Sequence, residues 1–400
     1  MFDGIIEWTT GLLRKVGPLP GRAAKWAKSL VLPAPAAYDD GSKPRLRWIT
    51  YAVKISIVLF VVAYLFPLLW NASWIRGYDL HYPASVLSKA DRSVGANEAV
   101  TVQEGTGDTR MCDRSRLVDM QIKLIDFMVN ENAWMPSMPQ YKMGLFTLIP
   151  WDDTPFLDNK AAFQHGVLMA TRRTAVELAD TIGRVRGTSK ADDDLLNARG
   201  ALQYDSETWW FNPFDRGRPF GPIQPSQYSY RKAMNLFDGY NKRLDDCKAV
   251  LDARADNLRS YMDRIANDLG SIADALNKRS QAVRYDPSSD KFVDASGNDA
   301  GWFDMRADNM FHEASGLLYA YHGLLQAARV DFAEVEERRQ LTDIWDRLEE
   351  NLADAASLSP WIVSNGRKDG FLMPDHLAVK TQVILTARAN LSELRDILDR

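Results

Sequence analysis

The sequence predicts an all-α protein: one N-terminal transmembrane helix, then an elongated helical bundle with long heptad-patterned helices and Pro/aromatic-rich inserts. Three observations predict it. Residues 48–70, WITYAVKISIVLFVVAYLFPLLW, form an apolar run whose one formal charge is Lys54. Tyr230, Phe237, Leu244, Leu251, Leu258, Ile265 and Ile272 recur at intervals of seven. Nothing reads as a parallel sheet, and 46% hydrophobic with 26% charged residues is the composition of a chain with a sizeable core, not a disordered one.

Residues 1–47 carry eight Lys/Arg (Arg14, Lys15, Arg22, Lys25, Lys28, Lys43, Arg45 and Arg47) against four Asp/Glu. The positive-inside rule puts this basic segment in the cytoplasm. Its apolar residues from Phe2 to Leu13 suit the inner leaflet, a tethered tail being the plainer alternative, and residues 33–45 are linker in composition. At 1.5 Å per residue the run 48–70 gives about 34 Å of helix, enough for a hydrocarbon core of about 30 Å. Lys54 lies near one end, from which it can snorkel, and Trp48 and Trp70 stand where interfacial aromatics are expected. No small-x-small cleavage site follows, so the run is read as an uncleaved anchor.

Residues 71–110, rich in small and polar types, read as a stalk or linker, and residues 111–400 as a helical domain in the periplasm or exterior. Residues 71–400 carry an acidic excess of nine, which argues against nucleic-acid binding. Cys112 and Cys247 fit no metal knuckle and no Cys-x-x-Cys motif. They leave open a disulfide in an oxidising compartment or two buried thiols.

Within the outer domain a helical stripe runs through Leu117, Met120, Leu124 and Phe127/Met128. A Pro- and aromatic-rich insert follows at 133–158, then a helix over 160–187 and another expected to start at Ser189, with Asp192 completing a capping box. A second insert, ETWWFNPFDRGRPFGP, occupies 207–222 and ends near Ser226. The heptads then predict a helix of about 50 residues with one narrow apolar seam. Its partner is expected within the chain, from a broken helix over residues 305–358 and a last helix from Asp375; a homo-oligomeric coiled coil is the alternative. Residues 285–301 carry turn signals around Lys291-Phe292-Val293 and suit a small hairpin.

The sequence yields no catalytic constellation, metal site or cofactor fingerprint. None of the five histidines lies in His-Glu-x-x-His or Glu-x-x-His. Arg172, Arg173, Arg184 and Arg186 are a candidate anion-binding cluster, with ion pairing to neighbouring acids as the plain alternative. The aromatics of the two inserts are too large to leave in water. Two readings are open: a structural lid in which the inserts pack on each other and over one end of the bundle, or a groove in which Trp134, Trp151, Trp209, Trp210 and Phe211 receive a glycan, lipid or partner peptide.

Several features together resemble an uncharacterised family of bacterial, mainly proteobacterial, inner-membrane proteins known only as a domain of unknown function. They are Trp134-x-Pro136-Ser137, Asp158-Asn159 with Gln164 and Gly166, Gly183-Arg184-x-Arg186-Gly187 with Ser189, Trp209-Trp210-Phe211, Tyr228 to Tyr230, and Tyr240-Asn241 with Leu244. The resemblance covers most of residues 110–400. It implies one N-terminal anchor in the inner membrane and a helical periplasmic domain, and it supplies no reaction or catalytic residues. The functional expectation is a non-enzymatic module that binds an envelope protein partner or scaffolds a complex. A ligand-sensing domain using the aromatic groove, and a cell-wall hydrolase using Asp152 or Asp153, are the alternatives.

Overall fold

The apolar run forms one helix, α1 (Pro44–Ala72), in the computed structural model of the chain. The structure describes residues 44–88, 100–101, 109–110, 112–144, 154, 157–184, 190–210, 222–281, 283–286, 288–294, 304, 306–366, 371 and 374–400. Two compact units result, Met1–Trp70 and Asn71–Arg400. In α1 the stretch Tyr51–Ala72 has a mean hydropathy of 2.4 yet is 11% buried. A helix that is apolar all round suits lipid, whereas a core helix of this composition would be covered by protein. The basic segment before residue 44 lies outside the described residues, as do Trp151, Asp152, Asp153, Arg186, Ser189 and Phe211.

The outer unit is helical: α2 (Pro83–Leu87), α3 (Arg116–Asp126), α4 (Pro139–Met143), α5 (Asn159–Glu177), α6 (Asp193–Leu202), α7 (Ser226–Asp245), α8 (Ala255–Ser280), α9 (Ala307–Asp331), α10 (Ala333–Arg339), α11 (Thr342–Ser357) and α12 (His376–Leu398). Two small antiparallel hairpins join them: β1 (Val100–Thr101) with β2 (Thr109–Arg110), and β3 (Val283–Asp286) with β4 (Lys291–Asp294). The second is the hairpin expected around Lys291. Polar caps set several helix starts: Ser115 Oγ accepts from Val118 N, Asp192 from Asp194 N and Asp375 from Ala378 N. Asp192 is thus itself the cap of α6, because its short carboxylate reaches the free amides from just outside the helix.

α9 is the central helix, packed by α3, α5 and α11 and buried at nearly every position from Ala314 to Val330. Small residues let its neighbours come close. A Cβ on Gly166 of α5 would stand 1.9 Å from the Glu313 carbonyl oxygen, and one on Gly316 of α9 would stand 2.0 Å from that of Phe163. The two backbones are therefore in direct contact through reciprocal glycines. α8 and α12 form the second strong pair. Arg259 meets Asp399, Asp263 meets Arg395, and Arg388 donates to the Ala266 carbonyl, so the two run antiparallel. The seam of α8 finds its partner inside the chain.

Two elements differ from those the sequence predicts. The predicted 50-residue helix is two helices, because the backbone turns left-handed at Cys247 (φ 59°), where a bond to Cys112 holds it (Cα–Cα 5.6 Å). A non-glycine residue with positive φ cannot continue a right-handed helix. Leu251 keeps the heptad phase across the gap and is buried without being helical. The expected stalk is also partly core: Ile75, Tyr82 and Leu87 are buried, and Tyr82 Oη donates to the Tyr319 carbonyl at 2.8 Å.

A buried polar knot ties the start of α3 to two other helices. Asp331, at the end of α9, accepts from Ser115 Oγ, Arg116 N and Leu117 N. Asn241 of α7 accepts from Ser115 N and donates to the Ser115 carbonyl and Asp119. The first free amides of α3 are thus satisfied by a carboxylate from another helix. Burial pushes the Asp331 carboxyl up to about 7, against the pull of these donors.

Candidate functional site

Gln164, near the start of α5, fixes the first insert. Its side chain donates to the Met128 and Ala133 carbonyls and accepts from Met135 N, so one amide replaces three backbone partners. Trp134 then drops into the core at 1% exposure, edge-on to Tyr230 (centroids 5.2 Å), with its indole N–H on the Ser206 carbonyl at 2.8 Å. The second insert is braced from below. Ser226 Oγ donates to the Asp205 and Thr208 carbonyls, Ile223 N to the Trp210 carbonyl, and Tyr204 Oη to the Gln224 carbonyl.

The inserts meet through Trp134–Ser206, through Gln227 Nε2 to Ser137 Oγ at 2.7 Å, and through the Lys142–Glu207 ion pair at 3.2 Å. Packing of the inserts on each other is the arrangement a structural lid requires. Of the five aromatics expected in a groove, Trp151 and Phe211 lie outside the described residues, and the other three divide. Trp134 is core, closed off beneath the insert, whereas Trp210 is 52% exposed and stacks at a tilt on half-buried Trp209.

A cavity of about 450 Å³ does open beside these inserts, with a lining the sequence did not single out. Tyr141 and Lys142 come from α4, Ala161, Ala162 and His165 from α5, Ser206 and Glu207 from the second insert, and Asn309 and Glu313 from α9. His165 Nδ1 lies 2.8 Å from Glu313 Oε1, and both side chains are partly exposed. The pair exists because the glycine crossing brings residues 148 apart in sequence together: Gly166 follows His165, and its vacant Cβ position abuts the Glu313 carbonyl. The sequence signal for this was a pair of mid-helix glycines, Gly166 and Gly316, each facing the other helix.

Two of the four arginines of the candidate anion-binding cluster, Arg172 and Arg173, are engaged by groups of the chain itself, and Arg186 lies outside the described residues. Arg172 donates to the Leu202 and Tyr204 carbonyls at 2.7 Å each, closing the C-terminal end of α6. Arg173 grips Asp268 through two bonds of 2.9 and 2.8 Å, and Asp268 also accepts from Tyr321 Oη. Arg184 follows Gly183 beyond the helical turn that closes α5.

Two strongly perturbed groups, Lys380 and His312, lie in the core between α9 and α12. Lys380 is fully buried, donates to the Ala355 carbonyl at 2.6 Å and sits 4.7 Å above the Phe311 ring. Burial brings its amine down to about 7. Burial and the Lys380 charge take His312 down to about 3, leaving a neutral imidazole. No group of three metal-ligating side chains is present among the described residues.

Chemically, the cavity holds one ion pair, one imidazole–carboxylate pair and one phenol. A carboxylate-paired imidazole can hold or move a proton. Among the described residues, however, no hydroxyl or thiol is hydrogen-bonded to His165. The arrangement offers donors, acceptors and an aromatic face for recognition.

A family described as an uncharacterised protein conserved in bacteria (DUF2333) matches residues 148–400. The match takes in both helices of the glycine crossing and the second insert, and it begins within the first insert, after Trp134. No curated protein and no solved structure matches the chain.

Proposed function

The chain belongs to the DUF2333 family of uncharacterised bacterial proteins, and on that premise we propose a single-pass inner-membrane protein whose helical domain lies in the periplasm and binds an envelope protein partner. The binding role is non-enzymatic, and a polypeptide segment of the partner occupies the cavity between the two inserts. One observation carries the reading: four separate chain segments converge on partly exposed polar groups, Lys142–Glu207 and His165–Glu313, that are already paired with each other. Such pairs can re-pair with a segment of mixed charge at little electrostatic cost, and Tyr141 adds an aromatic contact. The periplasmic placement is supported by the Cys112–Cys247 bond, since disulfides persist in oxidising compartments, and by the basic residues preceding α1.

The test places a photo-crosslinking residue at Tyr141 in the full-length protein in its native membrane, with exposed Val379 on α12 as the off-site position. One partner in stoichiometric yield at Tyr141, absent at Val379 and lost in a folded Glu207→Lys variant, is expected. Equal, diffuse labelling at both positions would remove the cavity as a docking site. Saturable thermal stabilisation by a small ligand would move the assignment to a sensing domain, and turnover lost on Asp152→Asn or Asp153→Asn would move it to a hydrolase.

A further inference from the structure

The loop between α11 and α12 exposes three large apolar side chains that the binding role leaves unused. Trp361 is 98% exposed, Phe371 97% and Ile362 61%. An exposed apolar residue alone is ordinary, but an aliphatic and two aromatics offered from one loop are not. The loop's base is firmly held. Ser364 N donates to His376 Nδ1 at 3.0 Å and Ser364 Oγ to the Pro374 carbonyl at 2.6 Å. Asn365 pairs with Asp375 across the loop and donates to the Arg279 carbonyl and Asp304.

The loop sits where the outer unit receives the chain from the apolar helix. Tyr78 Oη donates at 2.6 Å to the Ala356 carbonyl, two residues before the loop begins. Trp74 packs edge-on against His312 (5.1 Å), its neighbour Phe311 lies near His376 (6.5 Å), and His376 holds Ser364. Trp74 is only four residues beyond Trp70, so by chain length it lies within about 14 Å of the end of the apolar run.

We propose that Trp361, Ile362 and Phe371 dip into the interfacial region of the bilayer that α1 crosses, giving the outer domain a second membrane contact. Trp and Phe are suited to that depth. A loop of this size holds a free protein to a membrane only weakly, but the anchor keeps it at high effective concentration. A lipid surface is favoured over a second copy because the loop's base is linked through His376, Phe311 and His312 to Trp74, four residues beyond the apolar run.

The experiment uses the full-length protein in phosphatidylethanolamine/phosphatidylglycerol nanodiscs. A nitroxide is attached at Phe371→Cys or, separately, at Ile362→Cys, the native cysteines being bonded to each other. Both sites are exposed, so the fold tolerates them, and thermal unfolding checks this. Collision with oxygen and with a water-soluble nickel chelate then reports depth, with Val379→Cys as the aqueous reference. High oxygen and low nickel accessibility at 371 and 362 is expected. Nickel accessibility equal to that at 379 overturns the proposal, and so does shielding from both reagents, which would mark a protein interface. A label at Leu59→Cys tests the membrane span itself, so failure of the anchor and failure of the loop contact are told apart.

Discussion

Opening the Cys112–Cys247 bond tests both the fold and the compartment. The bond closes 135 residues of chain. In the chain-entropy picture a loop of that length removes about 17 cal/mol/K from the unfolded state, about 5 kcal/mol at 25 °C. The outer unit of about 330 residues unfolds with an entropy of about 0.7 kcal/mol/K, so losing the bond lowers Tm by about 7 °C. The perturbation is a Cys112→Ser/Cys247→Ser variant, compared with native protein under reductant. The assay is thermal unfolding in detergent, with thiols titrated before and after. A Tm within about 1 °C of the native value, with two thiols titrating per reduced chain, would refute the reasoning, because the cross-link would then restrict nothing the fold does not already restrict. Two thiols titrating in protein taken directly from its membrane would refute the oxidising compartment.

Three further expectations follow from the packing. Gly166→Ala and Gly316→Ala force backbones apart and cost about 2–3 kcal/mol or more, whereas Gly200→Ala, whose Cβ would meet nothing within 4 Å inside α6, gains about 0.5–1 kcal/mol; denaturant titration of all three reads the opposite signs. Trp134→Ala costs about 3–5 kcal/mol and Trp210→Ala well under 1 kcal/mol, so equal losses in thermal unfolding would put Trp210 in the core after all. Lys380 has a folded pKa of about 7, below its ordinary 10.5, so its contribution to stability is present above 10.5 and lost as pH falls through 7. Native protein therefore gains stability on raising the pH from 7 to 9.5, and Lys380→Met flattens that rise; parallel slopes in denaturation at the two pH values would contradict it.

The helices were legible wherever one apolar stripe faced one neighbour, as in α3, α8 and α12. The break at Cys247 was not, because Leu251 stays buried in heptad phase while a cross-link and a left-handed residue stop the helix. Tyr78 and Tyr82 looked like stalk residues since their partners, Ala356 and Tyr319, lie hundreds of positions away. The same distance hid the cavity. His165 and Glu313 have no local pattern in common, and two mid-helix glycines are what bring them together. Conversely, Trp134, open to both a lid and a groove reading, serves as core, because aromatic content signals a need for cover without saying what supplies it.

The knot at Ser115 has a consequence in time. Its carboxylate, Asp331, lies 216 residues downstream, and the Tyr78 acceptor, Ala356, lies 278 residues beyond Tyr78. At synthesis rates of about 5–20 residues per second, α3 waits about 10–40 s for the carboxylate that satisfies its first amides. Cys112 waits about 7–27 s for Cys247 over their 135-residue separation, as a free thiol. The early part of the outer unit therefore cannot mature stepwise as it emerges; it is held open until the last third of the chain arrives, and that interval is when it depends most on whatever shields unpaired helices and thiols outside the membrane.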